Sequence, residues 1–469
     1  MKKIIPLFLI LVLLLGSLAP AAFALDGPTL NGQAAILVDL ESGRILYEKS
    51  MSEQRAPASL TKIMTVLLVL EAADQGKVSL DDVVTAQADC RVGMEDDSST
   101  VGIVPGMQVS LRELLYCAML MSANEACNIM GTYIDGSISG FVDHMNTKAA
   151  AIGCLNTHFV NTNGLTAEGH YSTCYDLYLI TREAMRYPLF MELCNTQSYE
   201  PSTGAINEGK TMHNSNALIT TQSEYYGDRY LYQYASGVKT GYTRAAGYCL
   251  ISTASKDGMN LLAVVMGCDG WYNAQSETYY NFTDSIALYE WAFANFSYQS
   301  IVTTDQVIST VPVRLAQDDA SVELHPQSAV TMLLPNETAP ESVTTEVTVY
   351  EDRLVAPLEP GTVLGEAKVF VNGTQYDSVR LVNHNEVELA RGEYMKARIR
   401  EFFSNGWVVA ITIVILVLAI GYLVLVTRYR RLRRRHLKER KLAEQRRREA
   451  RERQAQQEEY FSEDWKEIP

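Results

Sequence analysis

Ala56-Pro57-Ala58-Ser59-Leu60-Thr61-Lys62-Ile63-Met64-Thr65 is the stretch on which the fold of this chain turns. Behind Pro57 and Ser59 come Ile63, Met64, Val66, Leu67, Leu68, Val69 and Leu70. A helix that is apolar on nearly every side is buried in a domain core. Its N-terminus therefore carries Ser59 and Lys62 at the edge of a rigid element, and a spacing of three puts both side chains on one helical face. A serine hydroxyl is a weak nucleophile until a base takes its proton. Lysine can be that base only if burial or a neighbouring cation lowers its pKa.

Two further motifs follow in order, Ser122-Ala123-Asn124 and Lys239-Thr240-Gly241. A helical run over 111–121, preceded by Pro105-Gly106 and a capping Ser110, stops at Ser122, so the first triplet lies where a helix ends or changes direction. The second lies in a strand over 234–240, followed by strands over 248–254 and 261–266 and a helix over 285–295. Upstream, strands over 34–40 and 44–47 form a hairpin through Glu41-Ser42-Gly43. Segment 153–175 is rich in Asn, Thr, His and Gly, with Asn161-Thr162-Asn163-Gly164 as a turn signal. Singly, Ser59 reads as a helix cap, Ser122 as a turn residue and Lys239 as a solvated strand-end charge. Together they supply a nucleophile, its base, a proton-relay pair and a strand that grips a carboxylate, with Lys239 as the cation beside Lys62.

The ends of the chain indicate the compartment. Lys2 and Lys3, an apolar run over 4–15 and Ala22-Phe23-Ala24 form the three-part layout of a secretory signal peptide over 1–24. Residues 407–426 contain no charge and are long enough to cross about 30 Å of hydrocarbon. Arg428, Arg430, Arg431, Arg433, Arg434 and Arg435 follow, which marks that side as cytoplasmic. The tail, 427–469, carries 15 Lys+Arg against 9 Asp+Glu and reads as a solvated charged helix. Its basic cluster serves topology or, in the sharper alternative, binds anionic lipid or a cytoplasmic partner. With the whole chain at −15, the tail at +6 and the leader at +2, the intervening part carries −23. An acidic exterior argues against nucleic acid as a partner.

That exterior is long enough for two folded units. The first extends over 25–298. From 299 to 390 the composition turns to Val, Thr, Pro and Glu in short alternating runs, with Pro360-Gly361 and Asn372-Gly373 as turns, which suggests a small β-sandwich or barrel. A short helix over 391–405 leads to the span. The eight cysteines are sparse and several lie in apolar runs, so they read as buried free thiols. No Cys/His cluster has zinc-ligand spacing, so no metal is expected.

The three motifs form a known acyl-transfer set, and the match goes further. The stretch around Ser59, Phe159-Val160-Asn161 with Gly164-Leu165 and His170-Tyr171-Ser172, and Gly237-Val238-Lys239-Thr240-Gly241-Tyr242-Thr243 with Ala246-Gly247-Tyr248-Cys249 resemble the serine D-alanyl-D-alanine carboxypeptidases, the low-molecular-mass penicillin-binding proteins. The resemblance covers about 34–296 and, more weakly, the β-rich region. It implies an α/β (α+β) penicillin-binding/β-lactamase-like serine transpeptidase fold: an antiparallel sheet with a helical subdomain, then a small all-β domain and one transmembrane helix.

It also implies roles. Ser59 attacks the peptide bond between two D-alanines and Lys62 accepts its proton. Ser122 relays a proton to the leaving amine, and Asn124 holds Lys62 and the substrate amide. Lys239 sets the positive field, Thr240 binds the terminal carboxylate, and Gly241 lets the peptide lie along the strand. Backbone N–H groups of Ser59 and Tyr242 form the oxyanion hole; many relatives carry His at position 242. His170 and Asp176 are expected to be structural. The implied reaction trims peptidoglycan stem peptides without a cofactor, with β-lactams as inhibitors, in a single-pass protein whose catalytic part lies outside the cell. Alternatives are a β-lactamase-like hydrolase and a non-catalytic wall-binding scaffold.

Overall fold

The computed structural model describes residues 25–222, 227–317, 321–351 and 354–463. The leader over 1–24 and the last six residues of the tail lie outside them. Among the described residues there are two compact units. The first comprises residues through Thr303 with Ala329–Thr344 and Phe370–Tyr376, and the second Thr304–Ser328, Thr345–Val369 and the chain from Asp377.

The first unit is built on a five-stranded antiparallel sheet. Its strands are β1 (Ala34–Asp39), β2 (Ile45–Lys49), β3 (Ala235–Thr243), β4 (Gly247–Lys256) and β5 (Met259–Cys268), in the order β2-β1-β5-β4-β3. Every residue of β1 is buried, and β4 and β5 are nearly so. Such strands read as continuous apolar runs because both faces are covered. On one face Ile36, Val38, Ile251, Leu262 and Val264 join the core of the helical subdomain. On the other, Leu37, Leu250, Ala263 and Val265 pack with Phe282, Leu288 and Tyr289 of the helix Tyr280–Asn295.

The centre of the helical subdomain is α1 (Lys62–Asp74), buried from Lys62 through Leu70. A one-turn 3₁₀ segment, Ala58–Thr61, leads into it, so the helical entry is tighter than a plain α-helix. Around α1 lie α2 (Leu111–Leu120), α3 (Asn124–Asp135), α4 (Ile138–Ile152), α5 (Cys174–Ala184) and α6 (Pro188–Asn195). Ser110 caps α2 by accepting from the Glu113 N–H, as the sequence suggests. All eight cysteines are buried and free, acting as small apolar residues.

After α7 (Tyr280–Asn295), the ribbon of β6 (Phe296–Val302) and β9 (Val330–Pro335) belongs to the first unit. A six-stranded sheet brings together β7 (Ser309–Arg314), β8 (Ser321–Pro326), β10 (Val343–Val349), β11 (Leu354–Val355), β12 (Val363–Val371) and β13 (Thr374–Val382), in the order β10-β12-β13-β8-β7-β11. Asn372 and Gly373 both take positive φ, 51° and 77°, and turn β12 into β13. The helix α8 (Arg391–Ser404) precedes α9, a single 58-residue helix over Gly406–Glu463. Its first part is long and apolar enough to cross a membrane.

One close approach fixes the entry to α1. Gly164 has φ +91°, and a Cβ there would lie 1.8 Å from the Ala58 carbonyl oxygen. Gly153, the α4 C-cap, has a similar φ of +95° but open space around it. Gly153→Ala should therefore cost only the left-handed strain, about 1–2 kcal/mol. Gly164→Ala should lose more stability than that, because its Cβ also meets the Ala58 carbonyl. Thermal unfolding of the two variants side by side checks this.

Candidate active site

Ser59 lies inside the 3₁₀ turn, and Lys62 is the first residue of α1. In a 3₁₀ turn, side chains three apart eclipse, which carries the Lys62 amine directly over the Ser59 hydroxyl. Lys62 is fully buried and its Nζ donates to three acceptors: Ser59 Oγ at 2.8 Å, Asn124 Oδ1 at 2.8 Å and the Asn163 carbonyl at 2.7 Å. An ammonium has three protons, so this set satisfies it completely. A neutral amine keeps only two N–H bonds. Donating these to Asn124 and Asn163 leaves its lone pair facing Ser59, the arrangement of a base about to take a hydroxyl proton. Burial holds Lys62 down at about 8, against the upward pull of Cys127 and Glu125.

Each acceptor is fixed by its own local structure. Asn124 opens α3, and its N–H donates to the Ser99 carbonyl at 3.0 Å. Asn163 belongs to a turn in which Asn161 Oδ1 accepts from the N–H of Gly164 at 2.7 Å, while Asn161 Nδ2 donates to Leu165 O at 2.8 Å. The turn is tied to α1 by Thr65 Oγ1, which donates to Thr162 O at 2.5 Å, and to α3 by Thr162 Oγ1, which donates to Asn128 Oδ1 at 2.6 Å. His170 Nδ1 accepts from the Val160 N–H, which leaves Nε2 to donate to Thr61 Oγ1 at 2.9 Å. Burial lowers His170 to about 4, so it stays neutral and structural. Asp176 is structural as well, accepting from Asn156 N and Thr157 Oγ1.

Ser122 stands between α2 and α3 with φ 56°, and its buried Oγ has no hydrogen-bond partner among the described residues. A hydroxyl held in a strained backbone without a partner is available to a bound group. Lys239, Thr240, Gly241 and Tyr242 lie on β3, which pairs with β4 and forms the edge of its sheet. Gly241 passes close to the 3₁₀ turn: a Cβ there would be 3.1 Å from the Ser59 nitrogen. The backbone of the edge strand thus lies close to that of Ser59, and a side chain at 241 would intrude between them.

Lys239 is 1% exposed, and its Nζ donates to Thr240 O at 3.1 Å. Burial first, and then the charge on Lys62, lower it to about 7. The sequence suggests that Lys239 depresses Lys62; in the structure burial is the leading cause at both lysines, and the mutual repulsion registers on Lys239. Tyr242 directs its ring into an aromatic group, 4.4 Å from Tyr248 and 5.5 Å from Tyr272 between centroids. Two contributors carry no motif in the sequence: the Asn163 carbonyl, for which Asn161-Thr162-Asn163-Gly164 was the available signal, and Ser215, whose Oγ is 2.6 Å from Thr240 Oγ1.

Comparison with known proteins agrees with this chemistry. Residues 21–270 match the D-alanyl-D-alanine carboxypeptidase family, peptidase S11, and residues 296–389 match the C-terminal domain of penicillin-binding protein 5. The chain is 32% identical over 373 residues to the D-alanyl-D-alanine carboxypeptidase DacF of Bacillus subtilis, covering 78% of this chain and 89% of that protein. It is 30% identical over 380 residues to DacC of Escherichia coli, covering 79% and 88%. The solved structure of penicillin-binding protein 5 from Haemophilus influenzae is similar with a TM-score of 0.58 and 28% identity, over 78% of this chain and 99% of that one. With its serine–lysine pair at a sheet edge and a match spanning more than half its length, the chain belongs to the D-alanyl-D-alanine carboxypeptidase family of serine peptidases.

Proposed function

We propose that this protein removes the terminal D-alanine from peptidoglycan stem peptides through an acyl-enzyme on Ser59, while anchored in the cell membrane. The observation that carries the reading is Lys62 Nζ at 2.8 Å from Ser59 Oγ, buried and with its other two protons already satisfied. Neutral Lys62 takes the Ser59 proton as Oγ attacks the carbonyl carbon of the penultimate D-alanine. The oxyanion accepts from the backbone N–H groups of Ser59 and Tyr242, where losing one donor typically costs about 3 kcal/mol. As the C–N bond breaks, Ser122 relays the proton held by Lys62 to the leaving amine, which returns Lys62 to its neutral form, and Asn124 holds Lys62 in place. Water then cleaves the ester, with Lys62 again as the base.

Substrate seating follows from the edge strand. An extended peptide adds to β3 by backbone hydrogen bonds, with room for it at Gly241. Its terminal carboxylate lies at Thr240 in the field of Lys239. A β-lactam, which also presents an acylating carbonyl and a carboxylate, acylates Ser59 in the same pose. The catalytic domain, 25–298, and the β-rich domain, 299–390, lie outside the cell after removal of the leader 1–24. The helix 391–405 and the span 407–426 hold them there, and the basic tail 427–469 is cytoplasmic.

Mass spectrometry of the protein after incubation with penicillin should show an adduct on Ser59, and a peptide ending in D-Ala-D-Ala should lose one D-alanine. Ser59→Ala should abolish the adduct and lower turnover by at least about 10⁴-fold with unchanged thermal unfolding. Turnover without a persistent adduct indicates a β-lactamase-like hydrolase instead, and neither event in folded protein indicates a scaffold.

The two lysines also set a pH dependence. The active form has Lys62 neutral and Lys239 charged. With Lys239 at about 7 and Lys62 at about 8, the last proton resides mainly on Lys62. The active form is therefore the minor of two singly protonated arrangements, whose ratio is independent of pH, and the pair titrates as macroscopic steps. With values of about 7 and about 8, kcat/KM should rise as the first proton leaves and fall as the second does. Lys239→Arg, charged throughout this range, should remove the alkaline fall in the rate of penicillin acylation. For topology, protease added outside spheroplasts should digest the catalytic domain and spare an epitope attached to the tail.

A further inference from the structure

Ser215 belongs to none of the three motifs, yet it occupies a built position. The buried residues on either side of it, Asn214 and Asn216, fix its backbone. Asn214 Nδ2 donates to the carbonyls of Cys194 at 3.1 Å and Thr196 at 3.0 Å, and Asn214 Oδ1 accepts from the Asn216 N–H at 2.9 Å. Asn216 Nδ2 donates to the Gly237 carbonyl at 2.5 Å, and Asn216 Oδ1 accepts from the Leu218 N–H at 3.1 Å. One asparagine ties the segment to the end of α6, and the other ties it to β3 two residues before Lys239.

The outcome is the 2.6 Å contact between Ser215 Oγ and Thr240 Oγ1, in which either hydroxyl can be the donor. A hydroxyl has one proton and two lone pairs. If Thr240 donates to Ser215, its only proton is used within the protein. If Ser215 donates to Thr240, the Thr240 proton is free to point at an anion. A bound carboxylate selects the second state and polarises the chain of hydroxyls, each bond strengthening the next.

We propose that Ser215 is a positioning residue for substrate recognition: held by Asn214 and Asn216, it donates to Thr240 and so presents the Thr240 proton to the terminal carboxylate of the substrate. The assignment rests on the reading of Ser59 and Thr240 given above. It predicts selectivity for a free carboxylate over a neutral group at that position, expressed through a residue that makes no contact with the reacting carbonyl.

Acylation of the full-length protein by benzylpenicillin and by its methyl ester, in which the carboxylate is neutralised, separates this role from a structural one. Ser215→Ala should slow acylation by benzylpenicillin about tenfold, the scale of a hydrogen bond to a charged group, and leave the slower methyl-ester reaction within about twofold. Ser215→Thr, which restores a hydroxyl, should recover most of the benzylpenicillin rate. Equal slowing with both compounds would reduce Ser215 to a loop-packing residue and overturn the assignment, as would an unchanged benzylpenicillin rate. A wild-type protein that forms no adduct with either compound overturns the acyl-enzyme reading itself, and this inference falls with it.

Discussion

A lysine amine without access to water, held against a serine hydroxyl, is the interaction on which the first unit depends. Burying an unpaired ammonium costs several kcal/mol, and the fold offsets this with three acceptors drawn from three places: the 3₁₀ turn before α1, the first residue of α3 and a loop carbonyl. Removing any one of them would leave the charge under-satisfied. The same burial lowers the pKa towards neutrality, so the feature that makes the site difficult to fold also makes it reactive.

Several other features serve this arrangement. α1 is apolar all round because it must exclude water from its own first residue. Gly164 is required because the loop that supplies the Asn163 carbonyl crosses directly over Ala58. The buried strand β1 and the nearly buried β4 and β5 form a rigid floor, with β3 at the edge of the sheet beside the 3₁₀ turn. Positive φ at Ala58 and Ser122, 48° and 56°, places backbone strain on the residue before Ser59 and on Ser122 itself, where rigid surroundings can hold it.

Much of this was legible in the sequence because motif side chains are printed in it. Ser59, Lys62, Asn124 and Lys239 declare themselves by type and order. The nearly unbroken apolar runs around 34–40, 63–70, 248–254 and 261–266 mark a buried helix and sheet. What remained illegible was carried by the backbone or by ordinary polar residues. The Asn163 carbonyl is the same atom in every amino acid, and Asn214-Ser215-Asn216 looks like any exposed turn until tertiary contacts bury its asparagines. α4 gives little signal in the sequence because only Phe141, Met145 and Ala149 of its residues are buried, a stripe too thin to stand out beside its Ser, Asn and Thr. The 3₁₀ entry to α1 was likewise invisible, since i, i+3 spacing fits both helix types.

The long C-terminal helix has a mechanical consequence. From Gly406 to Glu463 it is one uninterrupted helix that contains no proline, the residue that most sharply kinks a helix. Its apolar and charged parts therefore form one lever. The charged arm from residue 427 to 463 is about 55 Å long at 1.5 Å per residue, so each degree of tilt in the apolar part sweeps the far end by about 1 Å. A small change in how the apolar part leans becomes a displacement at the tip as large as a helix diameter.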